Sequence, residues 1–133
     1  MPFLSFHVST ELSPQEIAAV AQQLTDLTTS VLGKRQELTA IECVSVKPTH
    51  WFIGGQRLQQ KPCAAFYLDV KVTEGTNTKA EKAEYVRRVF DAMQQILGAL
   101  DPACYIVIHE VHADAWGYAG QTQEFRYIRG LSL

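Results

Sequence analysis

The residue best suited to chemistry in this sequence is Pro2, which directly follows Met1. If Met1 is removed, Pro2 carries a secondary amine in place of an amide. An α-amino group has a reference pKa of about 7.7–8.0, and burial in an apolar pocket lowers it. Because a general base works best with a pKa near the operating pH, Pro2 is a candidate catalytic base. With Met1 attached, the nitrogen has no basicity, and Pro2 is then an ordinary residue near the chain start.

The composition is typical of one compact globular domain. The 133 residues are 47% hydrophobic and 20% charged, which fits a chain with a single core. No apolar run approaches the roughly 18 residues of a membrane span, and the N-terminus lacks the order of a signal peptide. We therefore expect a cytoplasmic protein with no membrane contact. A net charge of −2 gives no electrostatic footprint for nucleic acid, so no nucleic-acid partner is expected.

The three cysteines, Cys43, Cys63 and Cys104, lie far apart in the sequence. Their odd number and the lack of any CxxC or histidine spacing argue against a disulfide framework and against a zinc site. We expect them to be small residues of the core.

The elements that must position Pro2 begin with a strand over residues 3–8, where apolar side chains occupy every second position. Ser13 predicts the start of a helix, because Glu16 three residues later completes a capping box. Gly33 is placed to end that helix. Residues 39–46 are rich in β-branched and apolar side chains, which predicts a second strand.

The second half of the chain repeats this order. Residues 64–72 alternate again and predict a third strand. Thr78 and Glu81 form a second capping-box pattern, and Gly98 is placed to end the helix that follows. Residues 105–111 predict the fourth strand, so each half reads strand, helix, strand.

A constant offset of 65 residues relates the two halves, and it pairs Trp51 with Trp116. The sequence predicts one domain of two βαβ units, at about residues 2–60 and 63–125, followed by a C-terminal tail. Each unit should join two parallel strands by a right-handed helical crossover. The predicted fold is therefore α/β (α+β), with a four-stranded sheet and two helices on one face. The other face is expected to need cover, which favours a symmetric homo-oligomer.

Two further segments, residues 50–56 and 115–121, follow the second and fourth predicted strands with tryptophan, glycine and glutamine at matching places. Together with Pro2 and the duplicated units, they make the sequence similar to the tautomerase superfamily. The resemblance implies a homotrimer and is closest in pattern to the tautomerases like macrophage migration inhibitory factor. Residues 114–118 and 124–125 resemble malonate semialdehyde decarboxylase.

The resemblance implies a tautomerase that moves a proton on a 2-keto acid with an aryl or unsaturated tail, without a metal or organic cofactor. It makes Pro2 and Tyr105 the catalytic residues and places Lys34 on the substrate carboxylate. A lysine can neutralise a carboxylate, and a tyrosine can stabilise an enol or orient an aromatic ring. The apolar walls of the substrate site are expected from Val70, Val107 and Trp116, with Trp51 and Phe66 as further candidates.

The cation that binds the carboxylate is open at this point. Where other branches of the superfamily are expected to carry arginines, this chain has Leu12, Ala40 and residues 73–77, none of them arginine. The reserve candidates besides Lys34 are Arg57, Lys71, Arg126 and Arg129.

Two other interpretations stay open. The trimer and its aromatic residues would persist in a chain that has lost its activity and acts as a binding module. The chain can also be a decarboxylase-like or dehalogenase-like member, although the arginine pair of those branches is missing.

Overall fold

The computed structural model describes residues 1–131, which form one four-stranded sheet, two two-stranded hairpins and three α-helices. The elements in chain order are β1 (Phe3–Val8), α1 (Pro14–Leu32), β2 (Ala40–Ser45), β3 (Phe52–Ile53), β4 (Gln56–Arg57), β5 (Phe66–Thr73), α2 (Lys79–Leu97), β6 (Tyr105–Val111), β7 (Gly117–Tyr118), β8 (Gln121–Thr122) and α3 (Gln123–Leu131).

The large sheet has the strand order β2-β1-β5-β6. Each βαβ unit contributes one parallel pair, β1 with β2 and β5 with β6, and the two units join through the antiparallel pair of β1 and β5. The predicted fold class is confirmed. In the central register Phe3 lies opposite Lys71 and His7 lies opposite Tyr67, so the Pro2 end of β1 is next to the C-terminal end of β5.

Both long helices begin as the sequence predicted. The Ser13 hydroxyl accepts a hydrogen bond from the Glu16 amide at 3.1 Å, and the Glu16 carboxylate accepts one from the Ser13 amide at 2.9 Å. Thr78 and Glu81 repeat this capping box at the start of α2. Gly33 ends α1 with φ of 69°, a left-handed conformation that glycine adopts without strain. None of the helices in the described residues combines the length and hydrophobicity needed to cross a bilayer.

The core lies between the sheet and the two long helices. Its sheet side consists of the alternate apolar residues of β1 and β5, and its helix side of residues such as Leu24 and Met93, all with no exposed surface. Tyr85 is also fully buried, and its hydroxyl lies 2.9 Å from the hydroxyl of Thr28. This hydrogen bond between α1 and α2 satisfies two polar groups inside an otherwise apolar core.

The opposite face of the sheet carries no helix among residues 1–131 and includes a polar network. Asp69 is at its centre and accepts hydrogen bonds from Lys71 Nζ at 3.0 Å, His109 Nε2 at 2.9 Å and the Tyr67 hydroxyl at 3.3 Å. Tyr105, next to this network, is 67% exposed. This face therefore mixes polar and charged side chains with aromatic and aliphatic ones, among them Tyr105 and Val107.

Two short hairpins and α3 were not predicted. The hairpin β3-β4 turns at Gly54 and Gly55, and the hairpin β7-β8 turns at Ala119 and Gly120, all with positive φ. Such two-residue turns match the twist of an antiparallel pair. Residues 123–131 form a helix that extends into the predicted C-terminal tail, with the Thr122 hydroxyl accepting a hydrogen bond from the Phe125 amide at 3.0 Å.

Candidate active site

A cavity of about 760 Å³ opens beside the N-terminus, hereafter the N-terminal cavity. Its lining comes from Met1, residues 33–35 at the end of α1, residues 73–76 after β5, Tyr118 of β7 and the first turns of α3. The loop after β5 is tied to α1, because the Asn77 amide donates to the Leu32 carbonyl oxygen at 2.8 Å. The cavity therefore gathers the end of one unit and the hairpin and final helix of the other.

Pro2 lies directly behind Met1 at this cavity and is buried. Its carbonyl oxygen accepts a hydrogen bond from the Ala40 amide at 3.4 Å, which extends the pairing of β1 with β2. Met1, which lines the cavity, occupies the space next to the Pro2 nitrogen. Burial, and secondly the positive charge of Lys34, hold the pKa of the Met1 amino group below its ordinary value. The site thus disfavours a protonated amine.

Trp116 contacts the same point of the chain. Its indole Nε1 donates a hydrogen bond of 2.7 Å to the carbonyl oxygen of Met1. The Trp116 carbonyl oxygen in turn accepts from the Gln123 amide at 2.8 Å, which links the residue to the start of α3. The indole N–H therefore points at the bond between Met1 and Pro2.

Lys34 lines the N-terminal cavity immediately after the glycine that ends α1. Its Nζ donates to the Thr76 hydroxyl at 2.8 Å, and that hydroxyl donates to the Thr73 carbonyl oxygen at 2.6 Å. Burial lowers the pKa of Lys34, and the carboxylates of Glu81 and Glu110 oppose that shift. The structure thus brings Lys34 and the N-terminus into one cavity.

Arg126 and Tyr118 form a second cationic feature of the cavity. The guanidinium carbon of Arg126 lies 3.8 Å from the centre of the Tyr118 ring, and Nη2 donates to the Tyr118 carbonyl oxygen at 2.9 Å. The Nε atom of Arg126 is buried and has no hydrogen-bond partner. The stack and the backbone bond together fix the orientation of the guanidinium.

The structure places Tyr105 and Val107 away from the N-terminal cavity of their own chain. Tyr105 begins β6 opposite Tyr67, which pairs with His7 at the far end of β1 from Pro2. With Trp51 and its neighbours, Tyr105 lines a separate cavity of about 390 Å³. Val107 lies opposite Asp69, on the face of the sheet without helices.

The expected substrate contact of Val70 is wrong. Val70 has no exposed surface and belongs to the core cluster between the sheet and the helices. It shares that inward face with Phe66, which is also fully buried. A side chain on this face can support the site only through packing.

The reserve cations are distributed over different surfaces. Arg57 lies over the Phe52 ring in the first hairpin, and Lys71 pairs with Asp69 on the sheet face without helices. Arg126 alone of the reserve set lines the N-terminal cavity. Among residues 1–131, no three His, Cys, Asp or Glu side chains come together in a group that could hold a metal ion.

Sequence reasoning did not assign Tyr118, Tyr127 and Glu124 to the site, although all three line the N-terminal cavity. They depend on the hairpin β7-β8 and on α3. The Ala119-Gly120 pair was the one local signal for that hairpin, because a two-residue turn with positive φ favours such residues.

Comparison with known proteins places the fold of this chain among tautomerase-like folds. Residues 67–126, which make up most of the second unit with its hairpin, match the family model described as "Tautomerase enzyme". A structure described as the symmetric trimer of Q0, a fused wild-type 4-OT, superposes with a TM-score of 0.79 at 17% identity, over 92% of this chain and 96% of that chain. No protein of curated function matches this chain in sequence.

Two further solved structures are similar. A macrophage migration inhibitory factor homologue from Prochlorococcus marinus superposes with a TM-score of 0.74 at 21% identity, over 90% of this chain and 97% of that one. Pt0534, described as inactivated by 2-oxo-3-pentynoate, gives a TM-score of 0.79 at 14% identity, over 93% and 98% of the two chains. The chain has the tautomerase fold, and the resemblance to the tautomerase superfamily drawn from the sequence is confirmed.

Proposed function

We propose that this protein, once Met1 is removed, is a cofactor-independent tautomerase that uses the Pro2 amine on a 2-keto acid. The observation that carries the proposal is the position of the N-terminus. Met1 lies in a cavity of about 760 Å³ with Lys34, where burial and that positive charge lower the pKa of an amino group. An amine kept neutral in this way can accept a proton near neutral pH.

Keto–enol tautomerisation needs a base, a hydrogen-bond donor to the substrate oxygen and positive charge near the substrate carboxylate. The Pro2 nitrogen accepts a proton from the carbon next to the ketone, and the negative charge then moves to the ketone oxygen. The Trp116 N–H, which holds the Met1 carbonyl oxygen at 2.7 Å, becomes available for that oxygen when Met1 is absent. The protonated amine returns the proton to the oxygen or to a conjugated carbon.

The carboxylate of the substrate fits among the cations that line the N-terminal cavity, which are Lys34, Arg35 and Arg126. Tyr118 and Tyr127 offer aromatic surface to the tail of the substrate in the same cavity. An aryl pyruvate combines both features, and phenylpyruvate is the simplest such compound.

We also propose a homotrimer. The fold relative Q0 is described as a symmetric trimer, and the sheet face without helices exposes Tyr105 and Phe3. Within one chain, Tyr105 is remote from Pro2, so a catalytic role for Tyr105 requires that it reach the cavity of a neighbouring subunit. Native mass spectrometry should give three times 14.9 kDa, and a monomer at micromolar concentration would contradict the assembly.

The test of the proposed function uses two forms of the same protein. Intact mass first establishes a sample without Met1, and a matched sample retains it. The Met-free form should interconvert the keto and enol forms of phenylpyruvate, and the Met-retained form should not, because its Pro2 nitrogen is an amide. Equal activity in the two forms, or none in the Met-free form, would contradict the role of Pro2.

A covalent probe adds an independent readout. The compound 2-oxo-3-pentynoate, which inactivates the fold relative Pt0534, is an electrophilic 2-keto acid that a neutral amine can attack. Incubation with the Met-free form should add one mass of the compound to the peptide that begins at Pro2. No adduct at Pro2 would show that the amine is protonated or inaccessible, and the chain would then be better described as a binding module.

A further inference from the structure

The Arg126 guanidinium is a half-buried cation that forms no ion pair with a carboxylate of residues 1–131. Every ion pair of the described residues uses another cation. Arg126 is held to Tyr118 by the ring stack and by the 2.9 Å bond to the Tyr118 carbonyl oxygen. Its Nε atom is shielded from solvent and has no acceptor. A buried donor without a partner is rare in folded proteins, and a desolvated charge is costly unless it is paired.

The internal repeat supplies a comparison for this cation. A second cavity, of about 360 Å³, lies at the matching end of the other unit, hereafter the repeat cavity. The offset of 65 residues places Lys61 at the position of Arg126 and Gln59 at the position of Glu124. Both pairs line their respective cavities, so the two cavities are built from corresponding elements.

The two corresponding cations differ in their partners. In the repeat cavity, Lys61 Nζ lies 3.3 Å from Asp101 Oδ2, in an ion pair whose carboxylate side chain is only 11% exposed. The residue that corresponds to Asp101 in the first unit is Gln36, which carries no charge. The N-terminal cavity therefore has the corresponding cation without a carboxylate at the position of Asp101. Glu74 and Glu124 also line this cavity, and neither forms an ion pair with Arg126.

Lys34 is less well placed to supply the main ion pair with a ligand. Its Nζ is already hydrogen-bonded to the Thr76 hydroxyl at 2.8 Å. An arginine offers a planar set of donors that matches a carboxylate, and its charge is kept on burial. The stack on Tyr118 holds this set in one orientation before a ligand binds, which reduces the entropy lost on binding.

We propose that Arg126 is the residue that binds the carboxylate of the substrate, and that the carboxylate takes the place that Asp101 occupies beside Lys61 in the repeat cavity. This assignment rests on the proposed function, because it names the contact that selects a 2-keto acid. The main role of Lys34 is then to act on the Pro2 amine, because its positive charge disfavours the protonated form of that amine. The cavity as a whole selects a monoanion with a flat tail.

The test measures binding apart from turnover. Phenylglyoxylate is a 2-keto acid without a hydrogen on the carbon next to the ketone, so it can bind but cannot tautomerise. Calorimetric titration of the Met-free full chain should show that phenylglyoxylate binds and that its methyl ester binds at least about 10-fold more weakly. The variant Arg126→Gln should weaken binding of the acid about 10- to 100-fold, with less than about 2-fold change for the ester.

A matched control uses the repeat cavity. Lys61→Gln removes the corresponding cation, and it should leave the affinity for phenylglyoxylate within about 2-fold. Arg126→Lys keeps the charge but loses the planar donor set, so it should bind the acid more weakly than the wild type. This variant also decides the matter if Arg126→Gln does not fold, because its stem can still pack on Tyr118.

The outcomes separate the two proposals. Loss of acid binding in the Arg126 variants, with no turnover of phenylpyruvate by the wild type, would support the anion site and contradict the tautomerase. Turnover by the wild type with an unchanged KM in Arg126→Gln would contradict the assignment of Arg126 alone. Equal affinity of the wild type for the acid and the ester, or no binding of phenylglyoxylate, would also overturn it.

Discussion

Trp116 and Met1, 115 positions apart, are joined by a 2.7 Å hydrogen bond from the indole N–H to the carbonyl oxygen. The acceptor belongs to the residue that must leave before Pro2 can act as a base. Under the proposed function, the donor that holds the Met1 carbonyl oxygen in the full chain should be directed at the ketone oxygen of the substrate once Met1 is removed.

This relationship predicts that Trp116→Phe lowers kcat of the Met-free enzyme on phenylpyruvate by at least about 10-fold, because the enolate oxygen loses a fixed donor. Steady-state kinetics measures the effect, and a thermal unfolding midpoint close to that of the wild type shows that the fold is kept. An unchanged kcat would mean that the indole only packs against the N-terminus.

Lys34 should set the pH dependence of the reaction. Its charge lowers the pKa of the Met1 amine in the full chain, and we expect the same effect on the Pro2 amine of the Met-free chain. Lys34→Met should therefore raise the pKa of that amine and move the acidic limb of kcat/KM to higher pH. Activity near pH 6 should then fall relative to the plateau.

The control for this prediction is Lys47→Met. Lys47 is exposed and follows β2 at the opposite end of the sheet from Pro2. Its removal should leave the acidic limb in place. A limb that does not move in Lys34→Met would separate Lys34 from the amine.

Tyr85 should make the stability sensitive to alkaline pH. Burial raises the pKa of Tyr85 from 10.0 to about 12, although its hydrogen bond to Thr28 opposes the shift. A folded pKa above the unfolded pKa means that stability is complete below pH 10 and is lost as the pH rises toward 12. The wild type should lose on the order of 2 kcal/mol more over this range than Tyr85→Phe.

Urea unfolding at matched protein concentration measures the difference. At pH 7 the same variant should cost only about 1 kcal/mol, because Thr28 keeps its 2.6 Å hydrogen bond to the Leu24 carbonyl oxygen. Equal alkaline losses in the two proteins would show that Tyr85 does not titrate in the folded state.

Gly117 should be required between Trp116 and Tyr118. A Cβ atom at this position would lie 2.3 Å from the carbonyl oxygen of Gln121, which is backbone of the paired strand. Gly117→Ala should therefore separate β7 from β8 and cost about 1–3 kcal/mol of stability, with a loss of phenylglyoxylate affinity.

Gly130→Ala is the matched control. Gly130 lies in α3, and nothing is within 4 Å of the position where its Cβ would be. Alanine is the better helix former, so this variant should be neutral or slightly stabilising. A tolerated Gly117→Ala in the same urea unfolding experiment would show that the hairpin can shift.

The parts of the fold that could be predicted from the sequence are those with local causes. The capping boxes at Ser13 and Thr78 fix both helix starts within four residues of sequence. Strand alternation identified β1 with its observed bounds, and the fourth predicted strand has the observed bounds of β6. The hairpins were not predicted because each of their strands has two residues, which is too short for an alternation of apolar and polar residues to be recognised.

The site was harder to predict because its contacts are tertiary. The alternation that identified β5 also placed Val70 on the same face as Leu68, and this pattern already indicated that Val70 is buried. Val70 was nevertheless assigned to the substrate site, because that assignment followed the family resemblance and not the alternation. Arg126 could be named only as one reserve cation of four. Its distinction depends on the Tyr118 stack and on the lack of an ion pair with any carboxylate of residues 1–131, which only the folded chain shows.

The repeat cavity also bears on how many substrate sites one chain can contain. In the second unit, residues 63–65 precede β5 and are joined to it by ordinary peptide bonds, so this cavity has no free amine. The Asp101 carboxylate, paired with Lys61, already occupies the position that the charge of a ligand would take. Duplication has doubled the scaffold without doubling the reactive end. Titration with a tight carboxylate ligand should accordingly saturate at one equivalent per chain.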